Sequence, residues 1–126
     1  MKEEDWVTVD VISCAAPNLR HRPGNTHNPE YGAQVSISSE ALYELHLQRA
    51  KHIMHIAAAN EVDALVLGAF GCGAFANDPK VVARAYEDAL EDYAGYFRYI
   101  EFAVYCRGSE TENYEAFREI RKDECK

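Results

Sequence analysis

Residues 65–79 read LVLGAFGCGAFANDP, and this stretch decides the fold. Its apolar start predicts a β-strand over residues 64–67 that is buried on both faces, and Gly68, Gly71 and Gly73 then predict a loop. Asp78 is a favourable N-cap and Pro79 a favourable first residue, so a helix is predicted to begin there. A strand, a glycine loop and a capped helix are together typical of a phosphate site, because loop amides and the positive end of the helix dipole face the ligand. The stretch is neither a Walker A loop nor a Rossmann fingerprint, since Gly-Lys-Ser/Thr is absent and the glycine spacing differs.

The flanking segments extend this pattern to the order β-α-β-α-β-α. Residues 7–14, VTVDVISC, and residues 99–106 are predicted strands. Helices are predicted from Ser38 or Ser39 to about residue 60, over residues 79–93, and from a capping box at 109–112 to about residue 122. Helical crossovers between strands predict a parallel sheet, and residues 15–38 form a long loop. The residues expected to face the core are Leu42, Leu45, Arg49, Ile53 and Ile56, then Val82, Tyr86, Leu90 and Tyr93, and finally Tyr114, Phe117 and Ile120.

Composition limits the class of protein. The chain has 126 residues, 48% of them hydrophobic, which predicts one domain over residues 1–126. A net charge of -8 disfavours broad binding to nucleic acid. No apolar run is long enough to predict a transmembrane helix, and the start MKEEDW does not resemble a secretory signal. The four cysteines contain no CxxC pair, so we expect free thiols and a cytoplasmic protein.

Three passages resemble the bacterial-type poly(ADP-ribose) glycohydrolase family, whose fold is the macrodomain. They are VISCAAPNL at residues 11–19, the stretch at 65–79 and FAVY at 102–105. The resemblance runs from about residue 7 to about residue 117 and covers the C-terminal half of the family. It implies an α/β, three-layer, macrodomain-like fold with a small, mainly parallel sheet that lacks the N-terminal strands of the full macrodomain. Ala76 departs from the family, which usually has glycine at that position.

The resemblance also implies a ligand site for ADP-ribose or a related nucleotide diphosphate. In the family GCG-x-F is the diphosphate loop, and its phenylalanine lies against the distal ribose. Tyr105 is expected at a strand end, where it would stack on adenine, and Asn18 would shape the pocket. The residues alone leave two alternatives open, a turn that needs positive φ at the glycines and aromatic side chains that belong to the core or surface. The expected ligand-binding residues are Asn18, Gly71, Cys72, Gly73, Ala74, Phe75 and Tyr105.

No cofactor and no metal site is expected. His52 and His55 lie three apart on a predicted helix with His46 nearby, but solvated helix histidines are far more common than zinc ligands. Cys72 is expected to fill space under the loop, since no histidine is near it in sequence. Arg20 belongs to a basic cluster, Arg-His-Arg, that follows a predicted strand end; solvation is its default, and approach to a phosphate is the alternative.

Catalytic residues are not expected either. Members of the family work through a Gly-Gly-Gly loop followed by a glutamine and paired glutamates, and the sequence contains no Gly-Gly-Gly. Asp78 is better used as a helix cap, and Glu30 lies in a Pro/Gly loop with nothing to fix it. We therefore expect an ADP-ribose-binding module that does not cleave poly(ADP-ribose) by itself; any activity would be glycohydrolase action on ADP-ribose polymers or conjugates. The alternatives are the C-terminal part of a split or truncated glycohydrolase that needs a partner chain, and a non-binding structural protein that self-associates, as a homodimer, through an open sheet edge.

Overall fold

The structure is a computed structural model that describes residues 2–27, 32–109 and 111–120. Glu30 and the predicted end of the last helix near residue 122 lie outside the described residues. The main elements are α1 (Ser39–Ala59), β1 (Ala64–Leu67), α2 (Pro79–Tyr93), β2 (Tyr99–Phe102) and α3 (Glu112–Arg118). Two short 3-10 helices, Glu3–Asp5 and Ala94–Tyr96, complete the regular structure of the described residues.

The sheet consists of β1 and β2, which run parallel with Ala64 opposite Tyr99 and Leu67 opposite Phe102. The predicted α/β class and parallel pairing are therefore confirmed. The helix α2 supplies the crossover connection that two parallel neighbouring strands need.

Helices of the described part of the chain cover one face of the sheet and leave the other open. Leu65 and Leu67 are buried in a core shared with all three helices, whereas Val66, on the opposite face, is 68% exposed. The prediction that β1 is buried on both faces was wrong, because the described helices share a single core on one side. The second helical layer of the predicted three-layer arrangement is not formed by the residues that the structure describes.

Local capping signals fix the N-terminal ends of the two long helices. The Ser38 hydroxyl accepts a hydrogen bond from the Ala41 amide at 3.2 Å, and the Asp78 carboxylate accepts one from the Lys80 amide at 2.9 Å. Each bond satisfies an N–H group that has no partner within the helix. The predicted bounds of α2 and of β1 match those of the structure.

The buried stripe of α1 differs from the prediction. Leu45, Arg49 and Ile56 are only half-buried. The helix α1 packs mainly against α2, and its fully buried side includes the small residues Ala50 and Ala57. The fully buried positions of this helix are Leu42, His46, Ala50, Ile53, Met54 and Ala57.

Tyr86 of α2 is buried in the core, as predicted, and other aromatic rings surround it. Its ring lies 5.9 Å from that of Phe102 and 6.4 Å from that of Phe117, measured between centroids. These edge-on and tilted contacts join β2 and α3 to α2. Leu90 and Tyr93, predicted on the same face, are half-buried.

The predicted first strand, residues 7–14, does not form. Val7, Val9 and Val11 are 83%, 70% and 81% exposed, and only Ile12 packs against the core. Alternation of apolar side chains suits a strand, but a strand also needs a partner backbone. Among the described residues the ladder contains only β1 and β2, so the observed order is α-β-α-β-α.

Two further predictions near the C-terminus were wrong. The last strand ends at Phe102 rather than at residue 106, and α3 begins at Glu112 without the predicted capping box. The Thr111 hydroxyl donates to Glu115 at 2.9 Å, so it does not cap the helix amides. Tyr114 is 43% exposed, whereas Phe117 is buried as predicted. No helix among the described residues combines the length and hydrophobicity that a membrane span needs.

Candidate functional site

Residues 68–77, the glycine loop, connect β1 to the N-terminus of α2. Three backbone hydrogen bonds fold the loop. The Cys72 amide donates to the Ala69 carbonyl at 3.1 Å, the Ala76 amide to the Gly73 carbonyl at 3.0 Å, and the Asn77 amide to the Gly71 carbonyl at 3.0 Å. By contrast, the amides of Gly73, Ala74 and Phe75 donate to no acceptor among the described residues. Successive free amides beside a helix N-terminus can donate to the oxygens of an anion.

The two central glycines have different structural roles. Gly71 has a φ of +77°, and a Cβ atom there would lie 2.8 Å from both Ala16 Cβ and Asn77 Nδ2. The fold itself therefore requires glycine at this position. Gly73 has no positive φ, and a Cβ there would meet nothing within 4 Å. Its lack of a side chain keeps the surface beside the free amides open without being needed for packing.

Asn77, which the sequence analysis missed, holds the loop in place. Asn77 lies just before Asp78, the α2 cap, and is 2% exposed. Its Nδ2 group donates to the carbonyls of Pro17 at 2.7 Å, Gly71 at 2.9 Å and Phe75 at 3.3 Å. The loop is thereby tied to the segment that carries Asn18. No local pattern indicates the tie to Pro17, because that residue lies 60 positions away in the sequence.

His46 supports Asn77 from α1. Its Nε2 atom lies 2.8 Å from Asn77 Oδ1, and because an amide oxygen only accepts, Nε2 carries the proton. Burial lowers the pKa of His46, against an opposing effect of the Asn77 hydrogen bond, so the ring is neutral. His46 is fully buried, which corrects the expectation that it is solvated, while His52 and His55 are exposed. The structure brings together no metal-binding group of three His, Cys, Asp or Glu among its described residues.

Within the glycine loop, Phe75 contacts the segment that carries Asn18 and Arg20. The Leu19 amide donates to the Phe75 carbonyl at 2.9 Å, and the Arg20 guanidinium lies 5.8 Å from the centroid of the Phe75 ring. Asn18 Nδ2 donates to the Pro23 carbonyl at 3.4 Å. The structure therefore places Asn18 and Phe75 in neighbouring segments.

Tyr105 is set apart from this group. It lies three residues beyond the end of β2 and is 81% exposed. Its side chain makes no hydrogen bond or ring contact with the glycine loop among the described residues. Its predicted stacking on adenine, like the ligand contacts of the other predicted residues, stays a prediction.

Cys72 has the environment of a packed thiol. Burial, with a smaller contribution from the Asp78 charge, raises its pKa to about 12. Its Sγ atom donates to the Phe70 carbonyl at 3.7 Å. A thiol with a raised pKa is a poor nucleophile at neutral pH. Asp78 is engaged as the α2 cap, and Glu30 lies outside the described residues.

The chain is similar in structure and sequence to poly(ADP-ribose) glycohydrolase from Deinococcus radiodurans. A point mutant of that enzyme in complex with ADP-ribose is 39% identical, with a TM-score of 0.59 over 63% of this chain. A second crystal form with ADP-ribose is 38% identical, with a TM-score of 0.59 over 68% of this chain. A third is 30% identical, with a TM-score of 0.56 over 75% of this chain. No protein-family model matches the chain, and no curated protein matches it in sequence.

Fold and loop thus define a macrodomain-like α/β protein. More narrowly, the chain is similar to bacterial poly(ADP-ribose) glycohydrolases, which confirms the predicted resemblance to that family. It spans 32%, 36% and 46% of the lengths of the three solved chains, so the similarity concerns less than half of those enzymes.

Proposed function

We propose that this chain binds ADP-ribose, or a related nucleotide diphosphate, on the glycine loop. The observation that carries the proposal is the run of three amides at Gly73, Ala74 and Phe75, next to the N-terminus of α2, that have no acceptor among the described residues. Backbone amides hold phosphate oxygens by charge-assisted hydrogen bonds, and the helix dipole adds to the attraction. Similarity to glycohydrolase structures that contain ADP-ribose supports the choice of ligand.

The neighbouring side chains extend the proposed site. Phe75 follows the free amides directly and would pack against the distal ribose of a ligand whose diphosphate lies on the loop. Asn18 shapes the wall beside it through its bond to Pro23. Tyr105, which is exposed in the segment that follows β2, would stack on adenine. Gly71, Cys72 and Ala74 contribute backbone to the loop.

Gly73 offers a direct test of ligand binding. In calorimetry, ADP-ribose should bind the purified chain. Gly73→Val should weaken binding at least tenfold, because the side chain would block the approach of the diphosphate to the loop amides, and one charge-assisted hydrogen bond contributes about 1.5–3 kcal/mol. Since a Cβ at Gly73 meets nothing within 4 Å, the variant should keep the parent's melting temperature. Gly95→Val is the matched control, because a Cβ there is equally unobstructed and lies outside the loop. No heat and no thermal shift at millimolar ADP-ribose would refute the proposal.

We further propose that the chain by itself does not cleave poly(ADP-ribose). Cleavage of a glycosidic bond needs a positioned carboxylic acid, and general acid–base assistance contributes about 100- to 10,000-fold. The carboxylate of Asp78 is committed to the Lys80 amide. The assay is release of ADP-ribose from automodified polymer. Turnover that survives purification and disappears in Glu30→Gln would contradict this proposal and make Glu30 the acid.

A second candidate function is one part of a two-chain glycohydrolase. The exposed sheet face, where Val66 is 68% and Tyr99 61% exposed, favours it, together with the limited coverage of the enzymes that the chain resembles. A partner carrying the Gly-Gly-Gly and glutamate segment would cover this face. Co-purification with such a partner and a gain of glycohydrolase activity would support this function. A homodimer in sedimentation that binds no ADP-ribose would instead favour a structural protein.

A further inference from the structure

Arg20 lies at the edge of the glycine loop and forms no ion pair with an acidic residue in the described part of the chain. Its guanidinium lies over the Phe75 ring at 5.8 Å, which is within the range of a cation–π contact. Its Nη2 group donates to the carbonyls of Pro23 at 2.7 Å and Gly24 at 3.3 Å. Neither acceptor carries a formal charge, so these bonds orient the guanidinium but leave its positive charge in place.

The remaining donors of Arg20 are not used. An arginine has five N–H donors, of which Nη2 supplies two. The Nε group is buried and has no hydrogen-bond partner, and Nη1 donates to no acceptor among the described residues. Arg20 also forms no ion pair with an acidic residue of the described chain. In a protein with a net charge of -8, such a cation is a local site of attraction for an anion.

Arg20 and the free amides meet at Phe75. This residue carries the last of the three unpaired amides, and its ring contacts the guanidinium. The Leu19 amide, next to Arg20, donates to the Phe75 carbonyl at 2.9 Å, which fixes the two segments against each other. An anion seated on the amides would therefore lie within reach of a guanidinium whose planar fork suits phosphate oxygens.

We propose that Arg20 is the charge-recognition residue of the glycine-loop site and pairs with a phosphate of the bound diphosphate. The assignment rests on the proposed function, since it names a further contact for the same ligand. It makes the site selective for the charge of the diphosphate, whereas backbone amides alone recognise the shape and hydrogen-bonding capacity of an anion.

The test compares three variants by calorimetry with ADP-ribose, at low and high salt, with melting temperatures as a check on folding. Arg20→Gln should weaken binding about 10- to 100-fold, as expected for loss of a hydrogen bond between charged groups. Arg20→Lys should recover part of this loss, because it keeps the charge but not the fork. Arg22→Gln removes the same charge from an exposed position two residues away and should stay within about twofold of the parent. Salt should weaken the parent more than Arg20→Gln, because the variant has one phosphate contact fewer.

Several results would overturn the assignment. One is an unchanged affinity for ADP-ribose in Arg20→Gln. Another is an equal loss of affinity in Arg20→Gln and Arg20→Lys with an unaltered salt dependence, because this would indicate that Arg20 only holds the Pro23–Gly24 backbone in place. Inorganic pyrophosphate separates this assignment from the proposed function. Arg20-dependent binding of pyrophosphate without binding of ADP-ribose would refute the proposed ligand and keep the assignment. If neither ADP-ribose nor pyrophosphate binds, the proposed function and the Arg20 assignment are both refuted.

Discussion

Replacement of Ala76 by glycine should stabilise the protein. Ala76 has a φ of +56°, in the left-handed region that favours glycine, and it is exposed at the end of the glycine loop. A residue with a Cβ costs about 1–2 kcal/mol in this region. Glycine relieves this strain, but it also increases the entropy of the unfolded chain, which offsets about 0.4–1 kcal/mol of the stabilisation. The expected net change is an increase of about 0.5–1 kcal/mol in the free energy of unfolding.

Urea denaturation and thermal melting measure this change. For a domain of 126 residues, the expected gain corresponds to a rise in melting temperature of about 2–5 °C. Ala74→Gly is the matched control, since Ala74 is exposed in the same loop but has no positive φ. It should lower the free energy of unfolding by about 0.4–1 kcal/mol. If both variants are destabilised equally, the strain assigned to Ala76 does not exist and the reasoning fails.

Three further predictions concern other described residues. Glu61→Gly should add about 0.5–1 kcal/mol to the free energy of unfolding in urea, because Glu61 occupies the left-handed position after α1 with a φ of +56°; a loss would contradict this. Since burial lowers the pKa of His46, the unfolded chain binds a proton more readily, so stability should be full above the unfolded pKa of about 6.5 and fall as pH drops below it. His46→Gln should flatten that slope and the exposed His52→Gln should not; equal slopes in all three proteins would disprove the role of His46. With a pKa raised to about 12, Cys72 should react with a thiol reagent at pH 8 at least about 100-fold more slowly than the exposed Cys106, and similar rates would show that the thiol is not desolvated.

The features that the sequence predicted well depend on neighbours along the chain. Ser38 and Asp78 cap helices through amides two or three residues away, so the helix starts follow from short patterns. The strand Ala64–Leu67 likewise follows from an apolar run bounded by loop residues. These local signals placed the glycine loop correctly between β1 and α2.

The errors concern features that depend on distant residues. Residues 7–14 alternate like a strand, but whether they pair is decided by the backbone beside them rather than by their own pattern. The burial of His46 depends on Asn77, which lies 31 residues away, and no spacing rule connects the two. On α1, apolar residues occupy more than one face, and tertiary packing, not the helical pattern alone, decides that the side with Ala50 and Ala57 is buried.

The glycine loop is held independently of the exposed sheet face. Its shape depends on the Asn77 hydrogen bonds to Pro17, Gly71 and Phe75 and on the support of His46 from α1, and none of these contacts involves the face that carries Val66. Ligand binding on the loop and attachment of a partner to the sheet are therefore compatible. The two candidate functions differ in which chain supplies the chemistry. A buried, fully hydrogen-bonded amide can keep a phosphate-binding loop in shape, whereas cleavage needs an acid beside the scissile bond, held to within about 1 Å of its productive position. It follows that a binding measurement on this chain tests the loop alone, and only reconstitution with a second chain tests the enzyme.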